Sequence, residues 1–280
     1  MKAARAAIKL ILCSQVVLAF VVVQWPLLRL WPAAARMYPV WIDRTLLGIL
    51  GVRVVLDGEL AKDSPTLIVS SHSSWIDILS IGSIGPASFV SKQEVRDWPF
   101  VGFLATLIRT IFIDRSRRQA TGSATEKLAE RLIAGDRMVL FPEGTSSDGN
   151  RVLPFKSAVI GAVEKAVLGS DIGDMAIQPM AVAFVRQRGL PMSRTDRHFF
   201  TWYGDMDFAP HVWGVMMNTP VEIVITVGEP LRHSQYPNRK DMTRQLEVEV
   251  RRMLLSSIMG RELATADIVP ATEAAIGQTV

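Results

Sequence analysis

The chain has 280 residues, about twice a typical domain length, so one large domain or two small ones are expected. Hydrophobic residues make up 49% and charged residues 21% of the sequence, which excludes intrinsic disorder and indicates contact with a membrane. The single cysteine, Cys13, excludes an intramolecular disulfide and a cysteine-based zinc or iron–sulfur site. The net charge of +4 favours an anionic partner. The sequence lacks a basic tail, a zinc finger and an RNA-binding signature, so we expect phospholipid headgroups rather than nucleic acid.

The N-terminal region is apolar, and no residue from Leu10 to Leu28 is charged. These 19 residues are just enough to cross the hydrocarbon core of a bilayer. A second apolar stretch runs from Val40 to Leu50, and Pro26 and Pro32 are expected to bend the chain between the two. Aromatic residues typical of a membrane interface follow the first stretch: Trp25, Trp31, Tyr38 and Trp41. We therefore predict a membrane-embedded helical hairpin over residues 1–50.

Two other interpretations of this region stay open. A cleavable signal peptide would combine the basic start with the alanines at 33–35, although these lie far beyond the apolar stretch. A buried core helix is the other, because Ser14, Gln15 and Gln24 dilute the apolar run. Arginines and lysines stand on both sides of the run, so they do not predict its orientation.

After Gly51, short β-branched segments alternate with helical patterns, which predicts an α/β sheet covered on both faces. The predicted strands are Val52–Leu56, Thr66–Ser70, Phe89–Val90, Thr110–Ile113, Arg137–Phe141, Ile177–Phe184 and Val221–Val227. The predicted helices are Trp75–Ile81, Val101–Ile108, Ala124–Ile133, Phe155–Leu168 and Met242–Met259. Residues 186–220 are interpreted as an inserted excursion. We assign the globular domain to residues 51–263 and a flexible tail to residues 264–280.

One segment points to chemistry: His72 and Asp77 stand five residues apart, directly after a predicted strand. The serines around His72 are typical of a helix N-terminus, so His72 should lie on the turn and Asp77 in the first turns of the helix. A histidine before the helix can fold back onto that carboxylate. The carboxylate would then fix the tautomer and leave Nε2 as a general base. The other three histidines, His198, His211 and His233, have no such partner and are expected to be surface or core residues.

A second segment, Phe141–Thr145, also follows a predicted strand and ends in a glycine-containing turn. Ligands of open α/β sheets collect at the carboxyl ends of strands, so Glu143 should face the same crevice as His72. The alternative is an ordinary turn with a solvated glutamate. Lys156 opens the next helix, and Arg115, Arg117 and Arg118 follow another strand, either as a phosphate or carboxylate site or as a solvated face.

Four ordered blocks of the sequence resemble those of the lysophospholipid acyltransferase family, whose founding activity is 1-acylglycerol-3-phosphate acyltransferase. The blocks are His72 to Asp77, Ile111 to Arg115, Phe141 to Thr145 and Ile177 to Ala181. The resemblance covers roughly residues 50 to 230. It implies a mixed sheet flanked by helices, preceded by a membrane hairpin.

The same resemblance implies acyl transfer to the free hydroxyl of a single-chain lipid, from an acyl thioester of acyl carrier protein or coenzyme A. His72 would be the base and Asp77 its orienting partner, with Arg115, Glu143, Gly144 and Thr145 in acceptor binding. No metal or cofactor is implied. Because such thioesters are cytosolic, the active site is expected on the cytoplasmic face of a bacterial inner membrane.

One departure from the family pattern concerns the acceptor. Many members that use a glycerophosphate carry an arginine directly after the glutamate–glycine–threonine block, and here that residue is Ser146. The segment is similar to bacterial relatives that acylate lyso-ornithine lipid, which has an amino-acid headgroup and no phosphorus. Arg151 is a candidate to replace the lost cation, so a phosphate-bearing acceptor also stays open; Lys156 is a further candidate for acceptor binding. Asp205 and Asp207 are candidates for an ornithine ammonium.

Rival classes of function predict different features. A serine lipid hydrolase would need a Gly-x-Ser-x-Gly elbow, and the segment at 144–149 misses this spacing by one residue. A metal-dependent enzyme would need a ligand cluster such as His-Glu-x-x-His, which the sequence lacks. A non-catalytic lipid-binding protein would tolerate loss of the His72 imidazole.

Overall fold

In the computed structural model, the described residues are 1–61, 66–113, 118–157, 160, 176–236 and 238–260. The helices are α1 (Lys2–Leu30), α2 (Pro32–Leu50), α3 (Ile76–Ile84), α4 (Gln93–Arg96), α5 (Val101–Leu107), α6 (Arg118–Ile133), α7 (Arg194–Arg197), α8 (Phe208–Asn218) and α9 (Arg239–Met259). The strands are β1 (Val52–Asp57), β2 (Thr66–Ser70), β3 (Ser88–Lys92), β4 (Ile111–Ile113), β5 (Met138–Leu140), β6 (Ala176–Gln187), β7 (Leu190–Pro191), β8 (Val221–Val227) and β9 (Leu231–Arg232). The predicted helix at 155–168 lies mostly outside the described residues, as does the predicted tail.

Helices α1 and α2 pack against each other as a hairpin, and α2 ends at Leu50, the predicted boundary of the anchor. The predicted bounds of the two helices are wrong in one respect, because α2 begins at Pro32 and not at Val40. Proline fits the first turn of a helix, where its missing N–H has no partner to lose, so Pro32 opens α2. Pro26 does not interrupt α1, which continues to Leu30.

By length and composition, helix α1 is apolar enough to cross a membrane. A single stripe of α1 faces the protein, and its buried members are Ala6, Cys13, Phe20 and Gln24. The opposite side stays apolar and exposed, as at Ile11 and Leu18. A core helix would be covered on all sides, so the exposed apolar face favours a lipid-facing anchor over that alternative.

The strands form a mixed sheet in the order β1-β8-β6-β2-β5-β3-β4, with β7 and β9 paired to β6. Five adjacent strands, β6, β2, β5, β3 and β4, run parallel to one another. Strand β8 is antiparallel to β6 and parallel to β1. The seven predicted strands are confirmed, with ends that differ from the observed ones by at most three residues.

Alternation along the strands divides the core into two layers, one on each face of the sheet. On β2, Leu67 and Val69 join a cluster with α6 and α9, while Ile68 joins a cluster with α1, α2, α3 and α8. On β5, Val139 belongs to the second cluster, whereas Met138 and Leu140 on either side of it belong to the first. The sheet is therefore covered on both faces, as predicted.

The region predicted as an excursion, 186–220, is more ordered than that description. It contains the end of β6, a short hairpin to β7, and the helices α7 and α8. Arg197 of α7 is 2% exposed, and its guanidinium donates to the carbonyl oxygens of Phe184 and Met192. This buried arginine fixes the region against β6.

Candidate active site

The connection from β2 to α3 holds the predicted pair. His72 lies on the turn after β2, and Asp77 lies in the first turn of α3. The imidazole folds back as predicted, so that Nδ1 of His72 is 3.0 Å from Oδ2 of Asp77. A carboxylate only accepts hydrogen bonds, so Nδ1 carries the proton in the neutral ring and Nε2 is left as the basic nitrogen.

Asp77 is held in place by its own turn. Its side chain is 0% exposed, and Oδ2 also accepts the backbone N–H groups of Ser73 and Ser74, at 2.7 and 2.9 Å. These two amides belong to the turn that carries the imidazole. The carboxylate therefore fixes the backbone on which His72 stands as well as the ring itself.

Glu143 fixes the same turn from the neighbouring strand. It follows β5, which lies parallel to β2, so both turns meet at the carboxyl edge of the sheet. Oε1 accepts the backbone N–H of His72 at 2.9 Å, and Oε2 accepts that of Leu153 at 2.7 Å. The residue is 2% exposed, so the alternative of a solvated glutamate is wrong. Glu143 joins the turn of His72 to the loop at 152–156.

Burial raises the pKa of Glu143 to about 8, against an ordinary value of 4.5. The hydrogen bonds from Leu153 and His72 oppose this shift in pKa, and the nearby carboxylates of Asp77 and Glu247 add to it. The cause is desolvation, which disfavours the charged form of an acid. Glu143 therefore binds a proton more tightly in the folded state than in the unfolded state, so the free energy of unfolding depends on pH near neutrality.

The imidazole of His72 stacks on the ring of Phe141, with centroids 4.1 Å apart and planes 20° from parallel. Its side chain keeps 23% of its surface exposed, in contrast to the fully buried Asp77. The ring is thus supported on one face and by one nitrogen, while part of it stays accessible. This is the arrangement that a general base requires.

Two further backbone contacts close the site. Ser147 donates its N–H to the carbonyl oxygen of His72 at 2.8 Å, and Trp202 donates its N–H to that of Ser73 at 2.7 Å. The carbonyl oxygen of Trp202 in turn accepts the hydroxyl of Ser146. Sequence reasoning missed Trp202, because no local pattern indicates that residues 73, 146 and 202 meet.

The other predicted site residues are placed less decisively. Gly144 is buried in the turn after β5, with a φ of 72° and its N–H on the carbonyl oxygen of Phe141. The side chains of Thr145, Arg151 and Lys156 are exposed, and the backbone N–H of Lys156 donates to Pro142. Arg115 lies outside the described residues. The part of these residues in acceptor binding stays a prediction.

Three other candidates are also located. Asp205 and Asp207 are exposed on the turn before α8. His211 on α8 accepts a hydrogen bond from the indole of Trp75, at 3.1 Å. Burial lowers the pKa of His211, because desolvation disfavours the charged form of the ring. Within the described part of the chain, no three histidine, cysteine or acidic side chains are grouped as a metal site.

Together these elements define a class: an α/β protein with a histidine–carboxylate pair at the carboxyl edge of its sheet and an apolar helical hairpin. The family model described as Acyltransferase matches residues 51–183. The chain belongs to this acyltransferase family and is an acyltransferase, as the resemblance of its four blocks implied.

Individual relatives cover most of the chain. It is 40% identical over 249 residues to a lyso-ornithine lipid O-acyltransferase of Brucella abortus, covering 89% of this chain and 93% of the relative. A protein of the same name from Rhizobium meliloti is 35% identical, covering 94% and 92%. A 1-acyl-sn-glycerol-3-phosphate acyltransferase of Neisseria meningitidis is 34% identical over 116 residues, covering 39% of this chain and 46% of the relative.

The fold is also similar to a solved structure. The crystal structure of the 1-acyl-sn-glycerophosphate acyltransferase PlsC from Thermotoga maritima matches with a TM-score of 0.66 at 19% identity. The match covers 94% of this chain and 100% of that one. The likeness confirms the predicted fold class, a mixed sheet flanked by helices.

Proposed function

We propose that this enzyme transfers an acyl chain from an acyl thioester to the free hydroxyl of lyso-ornithine lipid, with His72 as general base. The observation that carries the mechanism is the 3.0 Å contact between Nδ1 of His72 and the buried carboxylate of Asp77. The acceptor is supported by the relatives that span most of the chain, which bear that name.

The first step is removal of a proton from the acceptor hydroxyl. Lipid hydroxyls are far too weakly acidic to ionise at neutral pH, so Nε2 of His72 takes the proton as the oxygen attacks the thioester carbonyl. Asp77 stabilises the imidazolium that forms, because its Oδ2 already accepts the Nδ1–H. A positioned base of this kind accelerates reactions by about 10²–10⁴-fold.

The second step is collapse of the tetrahedral intermediate. The carbon–sulfur bond breaks, the imidazolium returns its proton to the departing thiolate, and the products are a lipid ester and a free thiol. His72 ends neutral, as it began. The reaction as proposed needs no acyl-enzyme and uses no metal or cofactor, so EDTA should not change its rate.

The geometry around Ser146 supports an acceptor that does not rely on an arginine at this position. The Ser146 hydroxyl donates to the carbonyl oxygen of Trp202, whose N–H binds the carbonyl oxygen of Ser73 beside the imidazole. An arginine at 146 would remove this link. In this proposal Arg151 and Lys156, both exposed, bind the carboxylate of the amino-acid headgroup, and Asp205 or Asp207 binds its ammonium group.

The apolar hairpin supports a membrane location. Helix α1 keeps an exposed apolar face beside the domain that carries His72. Because acyl carrier protein and coenzyme A thioesters are cytosolic, we place the active site on the cytoplasmic side of a bacterial inner membrane. External protease should then leave the globular domain intact in whole cells.

The deciding experiment supplies purified enzyme in detergent micelles with lyso-ornithine lipid or lysophosphatidic acid, each with acyl carrier protein and coenzyme A thioesters. We expect thiol release and diacyl product with lyso-ornithine lipid, and loss of both in His72→Ala. His198→Ala, at an exposed histidine, is the matched control. Robust acylation of lysophosphatidic acid alone would refute the proposed acceptor. Covalent labelling by a fluorophosphonate probe would favour a serine hydrolase instead.

A further inference from the structure

A cavity of about 660 Å³ opens on the edge of the sheet opposite to His72. Its lining includes Thr66 and Ser88, the first residues of β2 and β3, and Arg137, which precedes β5. These strands run parallel, so the cavity lies at their amino ends and the turn of His72 lies at the carboxyl end of β2. The first turns of α2 form the facing wall.

The cavity is built around one buried carboxylate. The side chain of Asp136 is 6% exposed, and three arginines converge on it. Nε of Arg36 is 3.3 Å from Oδ1, Nη2 of Arg109 is 2.9 Å from Oδ2, and Nε of Arg131 also contacts Oδ2. A fourth arginine, Arg137, lines the same cavity, and its guanidinium makes a long contact, 3.4 Å, with the carbonyl oxygen of Ala61.

The four arginines have different parts in this cluster. Arg131 makes the most contacts, because its other two nitrogens donate to the carbonyl oxygen of Arg109 and the hydroxyl of Ser88. Arg36 and Arg109 line the cavity and keep 41% and 26% of their side-chain surface exposed. Each guanidinium carries five N–H donors, so Arg36 and Arg137 have donors left to offer.

Charge in the cluster is unbalanced. Among the described residues that line or support the cavity, three guanidinium groups contact a single carboxylate, Asp136, and a fourth, that of Arg137, belongs to a residue of the same lining. Like charges gathered in a partly enclosed space repel one another, and an anion between them would relieve that repulsion. Planar guanidinium groups suit the oxygens of a phosphate, which they bind with paired hydrogen bonds.

The wall formed by α2 indicates where such a phosphate comes from. Ala33 and Met37 line the cavity from this helix, and Met37 is exposed. The preceding bend carries exposed Trp31, and Arg29 lies over the ring of exposed Trp25 at 3.7 Å. Tryptophan and arginine in this arrangement are typical of the level of lipid headgroups. A lipid chain leaving the cavity would therefore meet the apolar surface of the hairpin.

We propose that this cavity binds the phosphate headgroup of an anionic membrane phospholipid, at a site separate from the catalytic one. Arg36 and Arg137 bind the phosphate oxygens, Asp136 holds Arg36 in place through Oδ1, and the glycerol backbone lies toward α2. Such a lipid would fix the hairpin to the amino edge of the sheet in a membrane rich in that lipid. This inference does not depend on which lipid the enzyme acylates.

The test uses the full chain in nonionic detergent without acyl donor, titrated separately with dihexanoyl phosphatidylglycerol, dihexanoyl phosphatidylcholine, inorganic phosphate and coenzyme A. Binding is followed by calorimetry. We expect phosphatidylglycerol to bind best, and the double variant Arg36→Gln/Arg137→Gln to weaken it about tenfold or more, as for loss of charge-assisted hydrogen bonds. The matched control is Arg53→Gln, an exposed arginine on β1 paired with Glu222, which should leave the Kd within about twofold.

A second variant distinguishes loss of the binding site from a folding defect. Ala33→Glu puts a negative charge on the α2 wall, leaves every arginine unchanged and should also abolish binding. Inorganic phosphate binding as tightly as the lipid would overturn the proposal in favour of a free-anion site. Coenzyme A binding more tightly, with loss in the double variant, would overturn it in favour of a donor site. Lipid binding that survives both variants would also overturn it.

Discussion

Replacing Asp77 by asparagine is the most direct test of the proposed base. Oδ2 accepts three hydrogen bonds, from Ser73, Ser74 and His72, whereas Oδ1 is buried with no partner in the described structure. An asparagine can keep its oxygen at the Oδ2 position and place its NH₂ group where Oδ1 was. The turn and the imidazole then keep their positions, and what is lost is the negative charge.

The magnitude follows from that charge. Without it, the imidazolium formed during proton transfer loses its stabilising partner, and the base loses most of its contribution of about 10²–10⁴-fold. At about 1.36 kcal/mol for each tenfold, the activation barrier rises by about 3–5 kcal/mol. The unpartnered NH₂ group costs about 1–3 kcal/mol of folding stability. We therefore expect a folded protein with little activity.

The assay measures thiol release from an acyl thioester at saturating lyso-ornithine lipid, so that kcat is obtained separately from the KM for the thioester. We expect kcat to fall by about two to four orders of magnitude while KM changes little. Asp57→Asn, at an exposed carboxylate on β1, is the matched control. If Asp77→Asn melts as a folded protein and keeps kcat within about threefold of the parent, the dyad mechanism is wrong.

Three further predictions concern residues around the site. Arg197→Leu removes the guanidinium that donates to the buried carbonyl oxygens of Phe184 and Met192. We therefore expect the free energy of unfolding to fall by about 3 kcal/mol or more, with a clear drop in Tm. The control Arg194→Leu should show no such drop. Because the pKa of Glu143 is raised to about 8, the folded state holds a proton that the unfolded state releases above about pH 4.5. The Tm should therefore fall as pH rises from about 5 to 8, and it should fall less steeply in Glu143→Gln. Equal slopes of Tm against pH in the two proteins would contradict the raised pKa of Glu143. Ser146→Arg removes the hydrogen bond to Trp202, so kcat/KM with lyso-ornithine lipid should fall about tenfold. We expect no increase in kcat/KM with lysophosphatidic acid, and such an increase would contradict the prediction.

The parts of the fold that local patterns describe were predictable. The continuous apolar run Leu67, Ile68 and Val69 is typical of a strand buried on both faces, and the structure divides these residues between the two core layers. The approach of His72 to Asp77 was also predictable, because the serines between them are typical of a helix N-terminus that brings a turn back to its first acid. Both features depend on neighbours within a few residues.

Features that depend on distant residues were not predictable in the same way. Glu143 was placed at the correct edge, yet nothing local indicates that its carboxylate accepts the amides of residues 72 and 153. The contact of Trp202 with Ser73 joins segments more than a hundred residues apart. The start of α2 was missed because apolar patterning placed it at Val40, while the geometry of Pro32 allows the helix to begin eight residues earlier.

The hairpin is joined to the catalytic domain by specific bonds as well as by apolar packing. The ammonium group of Lys9 reaches the carbonyl oxygen of Leu50 and the hydroxyl of Thr219, and the amide of Gln24 donates to the carbonyl oxygens of Ala35 and Leu107. Side chains of both anchor helices belong to the same core cluster as Ile76 of α3. Cutting away the first fifty residues would therefore expose the apolar side chains that the hairpin covers on this face of the sheet. In the proposed membrane location, these bonds would fix the height of the domain above the bilayer, so that folding itself would set the depth at which the enzyme meets its lipid.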